Sequence, residues 1–130
     1  MITQSELISR ALDARKRAYA KYSGFAVGAA LLTSDGDVYL GCNVENVSFG
    51  LTICAERIAI GSAVQAGHTS FDMIAVVAGS QQPVVPCGAC RQVLAEFNAD
   101  MTIICANEHG ESQLFSLKQL LPISRQGILS

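Results

Sequence analysis

Charge is scarce in this chain. Only 15% of its 130 residues are Asp, Glu, Lys or Arg, against 50% hydrophobic residues. That balance excludes extended disorder and predicts a packed globular fold. So little charge also predicts that part of the surface is buried against other subunits. A basic excess is missing too. The formal net charge is −2, which removes the sequence-independent grip on nucleic-acid phosphates. No apolar run reaches the ~18–20 residues that span a bilayer. The opening Met1-Ile2-Thr3-Gln4-Ser5-Glu6 lacks the basic stretch and apolar core of a secretion signal. No repeat, linker or low-complexity segment interrupts the chain. The expectation is a single domain over residues 1–130, cytoplasmic, with neither a membrane nor a nucleic acid as partner.

What the chain does have is thiols. Five cysteines, an odd number, point to metal or reactive chemistry before disulfides. Cys54 stands two residues ahead of Glu56 in Thr52-Ile53-Cys54-Ala55-Glu56-Arg57, and Cys87 and Cys90 share Pro86-Cys87-Gly88-Ala89-Cys90-Arg91. Both stretches read as helix starts. Three thiols can hold one Zn²⁺ and leave a fourth position open, which describes a catalytic site rather than a structural one. Cys42 and Cys105 sit in apolar strand runs and read as small core residues. His68 and His109 adjoin glycines and read as exposed turn residues unrelated to the metal.

The remaining pattern supplies the scaffold. Thr3 and Glu6 make a capping-box pattern, and Leu7, Ala11, Ala14, Ala18 and Tyr22 recur at helical spacing up to a stop at Tyr22-Ser23-Gly24. Arg10, Arg15, Lys16, Arg17 and Lys21 on this helix read as a solvated face, since no aromatic residues are interleaved for base stacking. Residues 25–32 and 38–43 read as strands joined at Asp35-Gly36, a hairpin signal. Gly28, Ala29 and Ala30 predict a close neighbour against the first strand. A helix over 54–65 stopped by Gly67, a strand over 71–78, a helix over 88–98 and a strand over 101–105 follow. Ser116 and Gln119 then open a short helix closed by Pro122. This order predicts an α/β fold with a mixed sheet and helices on both faces, its ligand site beyond the strand carboxyl ends where both thiol motifs fall.

Three thiolates and one Zn²⁺ sum to −1, so this metal is a poorer Lewis acid than one held by imidazoles. Glu56 is placed to take a proton from the zinc water, and Arg57 to draw charge off the thiolates. A zinc hydroxide beside a carboxylate acid/base suits attack on an amidine-like C–NH₂ carbon. The C-A-E and P-C-x-x-C pair is the zinc deaminase pattern. Together with Tyr22-Ser23-Gly24-Phe25 and Gly41-Cys42-Asn43-Val44-Glu45-Asn46, it resembles the cytidine deaminase family of the small tetrameric type over residues 6–122.

That resemblance implies a three-layer α/β/α fold with a mostly five-stranded mixed sheet. It implies one Zn²⁺ per chain on Cys54, Cys87 and Cys90, with Glu56 moving protons to the ring N3 and to the leaving ammonia. The Ala55 N–H would bond the pyrimidine, Phe25 would stack on it, and Asn43 and Glu45 would hold the ribose 3′-hydroxyl. Phe49 would lie near the ligand of a neighbouring subunit in a homotetramer. The implied reaction is hydrolytic deamination of cytidine and deoxycytidine, in pyrimidine salvage. A related aminopyrimidine nucleoside such as blasticidin S is the alternative substrate. The family commonly ends in an aromatic-Gly-Pro stretch. This chain carries none there, leaving Arg125 or Ile128 as candidates to cover the base in a neighbouring subunit's site. A thiol-disulfide oxidoreductase on Cys87 and Cys90 would leave Cys54 and Glu56 without a role. A zinc-stapled interaction module would need a fourth protein ligand, for which Cys42 is the sequence candidate.

Overall fold

The computed structural model describes residues 2–125, so Ile128 lies outside it. Helix α1 (Gln4–Arg15) begins at Thr3, whose hydroxyl accepts the Glu6 N–H at 3.1 Å. It ends at Arg15, well short of the expected stop at Tyr22. The periodic Ala18 and Tyr22 belong instead to a turn whose backbone is claimed by another segment. The Tyr19 N–H donates to Asn43 O, and the Glu45 N–H donates to Tyr19 O, each at 2.9 Å.

Strands β1 (Val27–Thr33) and β2 (Val38–Cys42) form the expected antiparallel hairpin. Gly36 takes φ +93° in its turn while Asp35 stays at negative φ. Helix α2 (Ala55–Gln65) closes at Gly67, where the His68 N–H donates back to Ala63 O at 3.0 Å. Strand β3 (Phe71–Ala78), helix α3 (Gly88–Phe97) and strand β4 (Thr102–Asn107) follow, β3 and β4 running parallel. A fifth strand, β5 (Ser112–Ser116), pairs antiparallel with β4 before the capping box of Ser116 and Gln119 starts α4 (Leu117–Leu120). Residue-by-residue patterning does not reveal β5, because this edge strand is short and largely exposed.

The sheet order is β2-β1-β3-β4-β5, with a core on each face. On one face Leu7 and Ala11 of α1 pack against Ala30, Leu32, Ala75, Val77 and Ile104. On the other, Ala59 and Ile60 of α2 and Leu94 of α3 cover Leu31, Ile74, Val76 and Ile103. The alternation along each strand gives the three-layer α/β/α architecture. Cys105 is buried in the second core, which pushes its thiol up to about 12 and marks it as structural.

Two glycines set the spacing of the layers. A Cβ at Gly28 would strike the backbone of Ala11 and Arg15 in α1, and one at Gly41 would strike Ala55 and Ala59 in α2. His68 differs from expectation. Its ring packs on Tyr39 at 5.3 Å and lies between Asp35 and Asp37, so its side chain is mostly buried rather than exposed. His109 is exposed, as its glycine neighbour suggests.

One end of the sheet gathers the start of β1, the end of β2 and the ends of β3 and β4, with Val27 opposite Ala78 and Ala78 opposite Asn107. Both thiol motifs leave this end.

Candidate active site

Cys54 is the N-cap of α2 and Cys87 the N-cap of α3, and neither side chain caps its own helix. Cys90 lies one turn inside α3 and is buried. The two helix starts bring the three Sγ atoms within 4.8 Å of one another, Cys54 and Cys87 being 3.9 Å apart. Zn–S bonds of about 2.3 Å in tetrahedral array place sulfurs about 3.8 Å apart, so the thiols fit the ion. Among the described residues no fourth His, Cys, Asp or Glu joins this cluster. Cys42 stays on β2 outside it, which removes the closed, structural arrangement.

The electrostatics favour a thiolate at Cys54. A hydrogen bond from Cys90 brings the Cys54 thiol down to about 5, helped by Arg57 and opposed by burial, while Cys90, as the proton holder, moves up. Unpaired N–H groups at the two helix starts work in the same direction. Arg57 Nη2 lies 3.7 Å from Cys54 Sγ and 3.4 Å from Thr52 O, and the bond to Cys54 raises its own pKa further. Its buried Nε has no partner among the described residues.

Glu56 stands beside the thiols rather than among them and is 5% exposed. Burial raises its pKa and the charge of Cys54 adds to the effect, while its own backbone N–H, Cys90 and Arg57 oppose it. A carboxyl poised above its usual range is suited to exchanging protons near neutral pH.

A cleft of about 360 Å³ opens over Cys54, Glu56 and Cys87 and is lined also by Phe25, Asn43, Glu45 and Ala55. These sequence-predicted residues therefore meet at one place. Asn43 and Glu45 have further work. The Asn43 amide donates to Phe25 O and accepts from the Val27 N–H, each at 2.8 Å, pinning the irregular backbone ahead of β1. Glu45 accepts the N–H groups of Tyr22 and Ser23 at 3.0 and 3.1 Å and the Ser23 hydroxyl.

Phe49 is placed apart. It lies in a 3₁₀ turn over Phe49–Leu51, is 76% exposed and meets Tyr22 edge-on at 6.4 Å. It borders a second hollow, of about 330 Å³, which shares Ser23, Glu45 and Thr52 with the cleft. Sequence reasoning overlooked the Ser23 hydroxyl as the holder of Glu45, though it stood inside the Tyr22-Phe25 motif. It also overlooked Val84 and Val85, which line the opposite wall from a loop with no motif of its own. The tail passes along α3, where the Gln92 amide donates to Ser124 O at 2.7 Å and Arg125 approaches Glu96 at 4.0 Å. Arg125 does not line the cleft of its own chain.

Comparison with known proteins agrees with this geometry. The family model described as the cytidine and deoxycytidylate deaminase zinc-binding region matches residues 1–106. A cytidine deaminase of Sporosarcina psychrophila is 49% identical over 118 residues, covering 90% of this chain and 87% of the relative. One from Halalkalibacterium halodurans is 50% identical over 117 residues, 89% of each chain. The crystal structure of cytidine deaminase from Burkholderia pseudomallei superposes with a TM-score of 0.91 at 48% identity, covering 95% of this chain and 99% of that one. A blasticidin-S deaminase of Bacillus cereus is more distant, 32% identical over 105 residues and 75% of this chain. With its three-thiol cluster, buried acid and matching fold, this chain belongs to the zinc-binding cytidine and deoxycytidylate deaminase family.

Proposed function

We propose that this chain hydrolyses cytidine and deoxycytidine to uridine and deoxyuridine with release of ammonia. The observation that carries the reading is a buried carboxyl, Glu56, beside three convergent thiols at the floor of a nucleoside-sized cleft. Cys54, Cys87 and Cys90 hold one zinc ion, which when bound supplies the Lewis acidity that makes water nucleophilic near neutral pH. Glu56 would carry one proton from the attacking water to the ring N3 and a second, from the new C4 hydroxyl, to the departing amino group, which leaves as ammonia. Arg57 draws negative charge off Cys54 through its contact with the sulfur. The Ala55 N–H, at the first position of α2, faces the pyrimidine, and the Phe25 ring stacks on it. Asn43 retains one amide hydrogen beyond its bond to Phe25 O, and with Glu45 it holds the ribose 3′-hydroxyl.

The cleft favours a nucleoside over a nucleotide. No Lys or Arg lines it among the described residues, and its ionisable oxygens belong to Glu45 and Glu56. A phosphate would meet like charge without a cation to offset it. Blasticidin S is a second candidate on the strength of the Bacillus cereus relative.

The full reading is a single catalytic domain over residues 1–130 that assembles as a homotetramer, with Phe49 reaching a neighbour's site. Val47, Phe49 and Leu51 support this, being 75%, 76% and 65% exposed beside the cleft, an apolar patch of the kind that marks an interface. Cytoplasmic pyrimidine salvage completes it. Free thiols suit a reducing compartment, and no helix among the described residues is long and apolar enough to cross a membrane.

The decisive measurement follows the ultraviolet absorbance of cytidine with wild type and Glu56→Ala, alongside metal analysis. Both proteins are expected to bind about one zinc per chain, and the variant to lose at least about 10²-fold in kcat. Zinc retained by the wild type, with no turnover of cytidine, deoxycytidine or blasticidin S, would sink the reading.

A further inference from the structure

The cleft has two walls drawn from distant parts of the chain. One is the irregular segment 25–26 ahead of β1, with Val27 at the start of the strand. The other is the loop 79–86 between β3 and α3, which contributes Val84 and Val85. Neither has a ladder of its own to hold it, so side chains must do so.

Asn107 ends β4 opposite Ala78 and is 3% exposed. Its Oδ1 accepts the N–H groups of His109 and Glu111, both at 3.0 Å, which closes the β4–β5 turn. Its amide nitrogen donates out of that turn, to Gln81 O at 2.7 Å, and reaches Glu111 Oε1 at 3.4 Å. The bond to Gln81 thus moors the second wall from below. The next residue, Glu108, pairs with Arg15 Nη1 at 2.9 Å, while Arg15 Nε donates to Ala26 O at 2.8 Å in the first wall. Gly79 leaves room for the same guanidinium, which a Cβ there would strike. One turn, residues 107–111, therefore grips both sides of the cleft.

The metal end of the loop has a separate anchor. Arg91 Nε donates to Pro86 O at 2.8 Å, next to Cys87, and Arg91 Nη1 to Leu120 O at 3.2 Å. Pro86 is thus held by a bond independent of the one at Gln81.

We propose that Asn107 is a positioning residue for substrate binding, acting through its amide bond to Gln81 O on the wall that carries Val84 and Val85. The inference rests on the cleft being the nucleoside site. Because Arg91 isolates the metal end, loss of the bond affects KM and spares kcat and zinc.

Asn107→Asp keeps the two acceptor bonds and removes the donor. It is expected to raise KM for cytidine about three- to tenfold, the worth of one hydrogen bond, with kcat and zinc content within about twofold of wild type. Amide exchange in residues 80–85 should quicken while exchange in β3 stays unchanged. The double variant Asn107→Asp/Glu111→Gln gives the new carboxylate a donor but leaves Gln81 O unpaired, so its KM should stay high. A KM restored in the double variant would assign the effect to repulsion from Glu111 and overturn the proposal. So would an unchanged KM in the single variant, or kcat and zinc falling in step with KM. If Asn107→Asp does not fold, Asn107→Ala is read by the same criteria. If the wild type does not deaminate cytidine, the functional reading fails on its own, and unaltered exchange in 80–85 would still overturn the mooring role.

Discussion

At the scale of single residues the site is organised by groups serving two masters. Glu45 faces the cleft, yet its carboxylate already accepts two N–H groups and the Ser23 hydroxyl, which also accepts the Phe25 N–H at 2.9 Å. The Ser23 hydroxyl first, then the Ser23 N–H, hold the Glu45 carboxyl below its ordinary value of 4.5 against desolvation, with the Tyr22 N–H adding to the lowering. The folded value therefore lies below the unfolded one. These bonds favour the ordered segment at pH above the ordinary value, and their contribution fades as pH falls through the lowered one. Ser23→Ala should shift the Glu45 midpoint upward, as read from the carboxyl carbon resonance. A midpoint that does not move would mean that the two backbone donors suffice. Asn43 carries the same double duty, so its truncation loosens Phe25 and Val27 as well as removing a sugar contact.

Among the elements, the β1–β2 hairpin sits where helices from both faces approach the sheet most closely. Gly28 admits α1 and Gly41 admits α2. Gly28→Ala and Gly41→Ala should each destabilise the fold by about 3 kcal/mol or more, because backbone rather than a flexible side-chain end must yield. Thermal unfolding by calorimetry checks this, and a Tm within error of wild type would refute it. Much at this scale was legible in the sequence. The hairpin, both thiol-bearing helix starts, β3 and the Ser116–Gln119 cap all leave local marks. Where reading failed, the deciding contacts are remote. Periodicity carried α1 on to Tyr22 because nothing nearby signals that Tyr19 bonds to Asn43 and Glu45. Strand β5 is short and largely exposed, and it is defined by its pairing with β4. His68 looked like a turn residue, although Tyr39 and the hairpin acids enclose it. The site divides similarly. The thiols and Glu56 are compact motifs, whereas the wall over 79–86 depends on Asn107, 26 residues beyond Gln81.

For the molecule as a whole, sparse charge and the exposed Val47, Phe49 and Leu51 both fit the proposed assembly beside the cleft. Leu51→Asp should convert the proposed tetramer to smaller species in sedimentation and lower activity with it, since burying an unpaired charge costs several kcal/mol. An unaltered, active assembly would place the interface elsewhere. The two-walled cleft also has a consequence in time. Cys54, Cys87 and Cys90 all precede Asn107 in the chain, so they leave the ribosome first. Metal capture can then begin while one side of the site still lacks its mooring, and the order of synthesis favours a loaded cage before a finished pocket.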